Sequence, residues 1–174
     1  MKLVRWTRFT WDLAKLPARE NTLAKCYSLR AAPRDEEAAV AAVVLRAFSL
    51  DSDWADQWGL LRERLEWQLH MAFERESIPA VVVLHGARIV AASVLSTEVE
   101  ADSNLVSGPC VLAEYRNRGL GSALLHASLA QLAQSGLPLA HAISKENAPS
   151  TRFVYPKFCS TRAPCEYEPA PAVC

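Results

Sequence analysis

Residues 111–125 read VLAEYRNRGLGSALL: an apolar pair, a loop carrying Arg116, Arg118, Gly119 and Gly121, then a helix-forming run. A helix that opens straight after a buried strand has to cross back over a sheet, so this stretch restricts the chain's topology more than any other. Leu120, Leu124, Leu125, Ser128 and Leu132 recur at helical spacing, and Ser135-Gly136 supplies a stop signal. The first amides of a helix have no internal partner, and the aligned peptide dipoles make that end positive. Glycine lets a backbone approach an anion closely. Two readings follow: a phosphate cradle to which both arginines add charge, or a tight turn with both arginines in solvent.

Around this unit the chain alternates strands and helices. Residues 26–32 (CYSLRAA) read as a strand ending at Pro33. Asp35, Glu36 and Glu37 then suit a helix N-terminus, and Val40, Val43, Val44 and Ala47 give residues 35–48 one apolar face. A second helix is expected over 54–75, with Trp54, Trp58, Leu61, Leu65 and Leu69 in one stripe. Residues 80–95 read as a hairpin about His85-Gly86-Ala87-Arg88, its runs apolar enough for burial on both faces. A polar stretch, 96–104, carries Glu98, Glu100 and Asp102. Residues 105–112 (LVSGPCVL) read as a strand interrupted by Gly108-Pro109, which belongs at an edge or a bulge. A strand over 137–144 and a short helix over 150–158 follow, with a proline-rich tail from Pro164 that has room for one more strand. Residues 1–25 mix Trp6, Phe9 and Trp11 with charges and Pro17. They read as an N-terminal arm, laid on its own core or across a homodimer. Residues 26–174 form the main domain, of mixed α/β class.

At 174 residues the chain suits one domain with a real core. Its 19 basic and 19 acidic residues cancel, so no global field draws it to nucleic acid or an anionic membrane. The five cysteines form no C-x-x-C pair and no metal-ligand spacing, which points to reduced thiols and no metal. Charges at Lys2, Arg5, Arg8, Asp12 and Lys15 break up any signal-peptide core, and no apolar run is of bilayer length. A cytoplasmic protein is expected.

Two phosphate motifs fail on the loop. No lysine followed by serine or threonine makes it a Walker loop, and Leu124 stands where a dinucleotide fingerprint needs its third glycine. A third pattern fits. Arg116-Asn117-Arg118-Gly119-Leu120-Gly121, preceded by a strand ending near Val111, closely resembles the coenzyme-A loop of the GNAT superfamily of N-acetyltransferases. Residues 27–48 resemble that family's first strand and helix, and KENAPSTRFVYPKF (145–158) resembles the segment carrying its asparagine and tyrosine.

The resemblance implies a mostly antiparallel, twisted sheet with flanking helices and a splayed parallel strand pair holding acetyl-CoA. It implies direct transfer of the acetyl group to a primary amine, on a small molecule or a peptide. Coenzyme contacts would come from Val111, Leu112, Arg116, Asn117, Arg118, Gly119, Leu120, Gly121, Ser122 and Asn147. The N–H of Val111 or Leu112 would polarise the thioester carbonyl, and Tyr155 would protonate the departing sulfur. Asn147 lies eight residues before Tyr155, one more than the usual family spacing, and Pro156 and Cys159-Ser160 depart from the pattern. Glu98 is taken as the general base, with Glu100 and Asp102 as alternatives. His85, His141 and Ser144 read as structural, and Cys110 as small packing. A noncatalytic acyl-CoA-binding or interaction module on the same fold is the alternative.

Overall fold

A computed structural model of the chain describes residues 4–19 and 22–167. In chain order the elements are β1 (Trp6–Asp12), β2 (Tyr27–Ala32), α1 (Glu37–Ser49), α2 (Trp58–Arg75), β3 (Ala80–His85) and β4 (Arg88–Val94). After these come β5 (Cys110–Val111), α3 (Leu120–Gln134), β6 (Leu139–Lys145) and β7 (Thr161–Cys165). Two antiparallel sheets result, one ordered β2-β3-β4-β5 and the other β6-β1-β7.

The apolar hairpin fills both faces of its sheet, as its composition requires. Val81 and Val83 join one core with Leu124, Leu125, Leu129 and Leu132 of α3. Val82 and Leu84 point the other way, into a second core with Val40 and Val44 of α1 and Leu65 and Leu69 of α2. Period-two alternation along β3 thus joins three layers. The turn keeps Gly86 at φ +62°, a conformation glycine adopts without strain.

The N-terminal arm is a correction. Residues 6–12 do not drape over the domain; β1 is the central strand of its sheet, between β6 and β7. Phe9 and Trp11 are 0 % and 1 % exposed and pack with α3 and Tyr155. Their period-two spacing was a strand signal (Phe9, Trp11, Leu13), which the interleaved charges masked. The described part of the chain therefore does not divide at residue 25. The tail strand forms as β7, earlier than Pro164, and among the described residues it pairs with β1 alone, an edge position that tolerates a proline. The rest of the proline-rich tail, 168–174, lies outside the described residues.

Helix α2 starts at Trp58 rather than Trp54. The Asp51 side chain accepts the Asp53 N–H at 3.0 Å and closes a separate 3-10 turn, Ser52–Trp54. Among the described residues no helix is long and apolar enough to cross a membrane, no group of side chains suits a metal ion, and Cys26, Cys110, Cys159 and Cys165 are free thiols.

Candidate active site

The strand expected over 105–112 is mostly bulge. Leu95 bridges Leu105, while Ala92 pairs with Cys110 and Ala91 with Val111. Five steps of chain on the β5 side therefore oppose three on β4. The surplus bows outward around Gly108, at φ +63°. Ser107 stabilises the bow: its hydroxyl accepts the Val94 N–H at 3.0 Å and donates to the Gly108 carbonyl at 2.8 Å.

On the far side of β5 lies β6, reached through α3. The segment leading into β5 touches β6 where the Asn104 and Leu105 N–H groups donate to the His141 carbonyl, at 2.8 and 3.3 Å, and the His141 N–H donates to Asn104 Oδ1 at 2.9 Å. Beyond this clasp they belong to different sheets, and a cavity of about 420 Å³ opens between them. Residues 108–111 form one wall, and Ile143 and Ser144 the other.

Strand alternation aims one amide into this cavity. Leu112 donates its N–H to the Val90 carbonyl at 3.0 Å, so the intervening Val111 turns its N–H and carbonyl away from β4. Val111 is thus the oxyanion candidate of the pair the sequence left open. Leu112 is excluded, its amide being occupied and its side chain buried in the α1–α2 core.

One end of the cavity is closed by the start of α3. Asn117 (φ +61°) and Gly119 (φ +77°) bend the loop, and Gly119 caps the helix with no side-chain hydrogen bond. The first helical bond runs from the Ala123 N–H to the Gly119 carbonyl, at 3.2 Å. The amides of Leu120, Gly121 and Ser122 precede it, all three residues line the cavity, and no acidic residue sits in the first turn. This arrangement of free backbone amides suits an anion. Lys157 adds a cation: its Nζ donates to the Ser122 hydroxyl at 2.6 Å, and it lines the cavity. Sequence reading passed over Lys157 because no periodicity links it to the loop; the π-type turn Ser150–Val154 brings it there.

Tyr155 also lines the cavity, 4 % exposed, its ring on Phe9 and Trp11 and its hydroxyl against Gly108. Burial, with the neighbouring Cys110, pushes its phenol far above the ordinary value, so it stays protonated at any physiological pH. Burial likewise pushes the Cys110 thiol up to about 12, which makes it an inert packing group.

Of the residues read from the sequence, Val111, Arg116, Asn117, Gly119, Leu120, Gly121, Ser122 and Tyr155 converge on the cavity. Others do not. Arg118 turns away, donating to the Tyr27 hydroxyl at 2.9 Å and lying over the Tyr115 ring. Asn147 is exposed in the turn after β6 and lines nothing. Glu98 does not line the cavity either: its loop runs outside it, held by Asn104 Nδ2 donating to the Glu98 carbonyl at 2.9 Å. Glu100 and Asp102 share that loop, and Asp102 pairs with Arg8 at 3.2 Å. His141 hydrogen-bonds Thr10 at 2.9 Å outside the lining, and burial followed by Arg8 lowers its basicity.

The acetyltransferase (GNAT) family matches residues 32–158, well over half of the sequence. The chain belongs to the GNAT family. Solved structures agree on the fold. A Drosophila protein superposes with a TM-score of 0.63 at 13 % identity, covering 92 % of this chain and 48 % of its own. A GCN5-related N-acetyltransferase from Sphaerobacter thermophilus gives 0.60 at 17 %, covering 94 % and 50 %. A GNAT-family acetyltransferase from Colwellia psychrerythraea gives 0.59 at 15 %, covering 93 % and 54 %. This chain spans about half the length of these proteins. No curated protein matches it in sequence. In this GNAT protein the bulge at 107–109, the diverging strands, the bare helix start and Tyr155 line one cleft.

Two outcomes test this geometry. Gly108→Ala should cost about 1–2 kcal/mol in urea unfolding, from a side chain forced into left-handed backbone. The added methyl also runs into the Tyr155 hydroxyl, so the tyrosine has to move. Stability should also fall in alkali. The folded Cys110 thiol holds its proton up to about 12, whereas the unfolded thiol releases it from about its ordinary 9.0. Between those values the unfolded chain binds fewer protons, so its stability falls as pH rises, by ~4 kcal/mol in all. Thermal melts from about pH 8 to 10 should show the start of this fall, and Cys110→Ala should flatten it there; above about pH 10 the buried Tyr155 phenol adds a loss of the same sign.

Proposed function

We propose that the protein is an acetyl-CoA-dependent N-acetyltransferase acting on a primary amine of a small molecule or peptide. The observation that carries this reading is one cleft lined both by the unpaired helix amides of Leu120, Gly121 and Ser122 and by Tyr155. The coenzyme's diphosphate suits the amides of Leu120, Gly121 and Ser122, with Lys157 adding charge beside Ser122. Its pantetheine arm suits the cleft-facing backbone of Val111. The thioester supplies an activated acetyl carbon.

Around that carbon the chain's own groups have distinct tasks. The Val111 N–H is placed to receive the carbonyl oxygen as charge develops on it. Gripping the diphosphate fixes the reactive end by distance. Tyr155, kept protonated by burial, gives its proton to the leaving sulfur. The acceptor approaches from the α1–α2 side, where Trp54, Leu61, Leu65 and Gln68 line the cleft. The test is thiol release from acetyl-CoA against amines, polyamines, amino acids and peptide N-termini, alongside thermal shift with acetyl-CoA. Turnover with any acceptor supports the transferase. A thermal shift without thiol release leaves a binding module, and no shift refutes the cradle.

A further inference from the structure

We propose that Asp51, in the turn between α1 and α2, is the carboxylate that receives the acceptor's ammonium group and takes its proton. This rests on the transferase reading above. Among the described residues lining the cleft, Asp51 is the carboxylate, with its side chain 14 % exposed. Oδ1 is engaged with the Asp53 N–H at 3.0 Å. Oδ2 faces Arg116 Nη2 at 3.7 Å, a charge contact beyond hydrogen-bond length, so its lone pairs remain available to a ligand.

Its place relative to the reaction follows from one guanidinium. Arg116 Nε donates to the Val111 carbonyl at 3.3 Å while Nη2 faces Asp51, so Asp51 stands one guanidinium away from the Val111 backbone. Asp51, Arg116, Cys110 and Tyr155 all line the same cavity. Nor is the turn loose. Lys145, its side chain 4 % exposed, donates to the Asp53 carbonyl at 2.6 Å and to Asp56 Oδ1 at 2.8 Å, under the Trp54 ring. A buried lysine on β6 thus positions the segment that carries Asp51.

The proton account closes. The ammonium gives one proton to Asp51, which passes it to solvent. The free amine attacks the acetyl carbon, forming the C–N bond, and the C–S bond breaks as Tyr155 protonates the thiolate. The nitrogen then loses a second proton, which restores Tyr155, and keeps one as the amide N–H. Charged or titratable groups around Asp51 are Arg116 and the neutral Cys110 thiol from the β5 side, Lys145 from β6, and Asp53 and Asp56 on its own segment.

Asp51→Asn keeps the acceptor that caps the turn and removes the base. With an amine that the wild type acetylates, the variant's rate at pH 7 should fall about 10²-fold. Its acetyl-CoA affinity, by calorimetry, should stay within about twofold. The deficit should shrink as pH approaches the amine's own pKa, because the acceptor then arrives unprotonated, and Asp51→Glu should restore part of the rate. An unchanged rate at pH 7 would overturn the assignment. So would a fall in coenzyme affinity that matches the fall in rate, since Asp51 would then act only by holding Arg116. If the wild type binds acetyl-CoA and acetylates no amine, the base role is wrong while the cradle stands; if it does not bind, both fall.

Discussion

Gly121→Asp should weaken acetyl-CoA binding severely while leaving the protein folded. A Cβ at Gly121 would meet Val154 Cγ2 at 3.6 Å and Val111 Cγ2 at 3.9 Å, ordinary contacts that displace nothing. Its carboxylate lands in the first turn of α3, where the helix dipole favours it by about 0.3–1 kcal/mol. The variant should therefore melt no lower than the wild type. The same carboxylate occupies the place of the diphosphate and repels it, and two like charges about 4 Å apart near a protein surface cost on the order of 4 kcal/mol. Affinity should drop roughly 10³-fold. Calorimetry with acetyl-CoA reads this directly, and Gly121→Ala, which adds bulk without charge, should lose far less. A Gly121→Asp protein that binds normally would show that the anion sits elsewhere.

Tyr155→Phe should lower turnover about 10²-fold and leave acetyl-CoA affinity within about twofold. The ring is part of the core on Phe9 and Trp11, and phenylalanine keeps that packing, so the loss is confined to the hydroxyl. The proton that hydroxyl carries is held tightly by burial, so the wild-type rate should show no alkaline loss from this group below about pH 10. Single-turnover thiol release separates the chemical step from binding. An unchanged rate with a good acceptor would remove Tyr155 from the chemistry and leave it as packing.

The elements written in local pattern were legible in the sequence. The Val40–Val44 stripe, the apolar hairpin and the leucine run of α3 each show one period strongly, and each formed within a few residues of its expected bounds. The cradle was legible because its chemistry lies within six consecutive residues, 116–121. What failed was long-range placement. The strand at 6–12 pairs with residues more than a hundred positions away, and nothing local announces that partner. Arg118 sits among the right neighbours in sequence, yet the bend through Asn117 and Gly119 sends its side chain to Tyr27. Glu98 drew attention as acidic sequence near a strand end, but the bulge at 107–109 carries the cleft away from it. Asp51 and Lys157 reach the site only through tertiary contacts, with Arg116 and Ser122.

The crystal structure of the protein soaked with acetyl-CoA tests the central claim most directly. Diphosphate oxygens should lie about 2.7–3.2 Å from the amide nitrogens of Leu120, Gly121 and Ser122, with the thioester near Val111 and Tyr155. Clear density for the coenzyme anywhere else on the surface, with those amides facing only water, would contradict it.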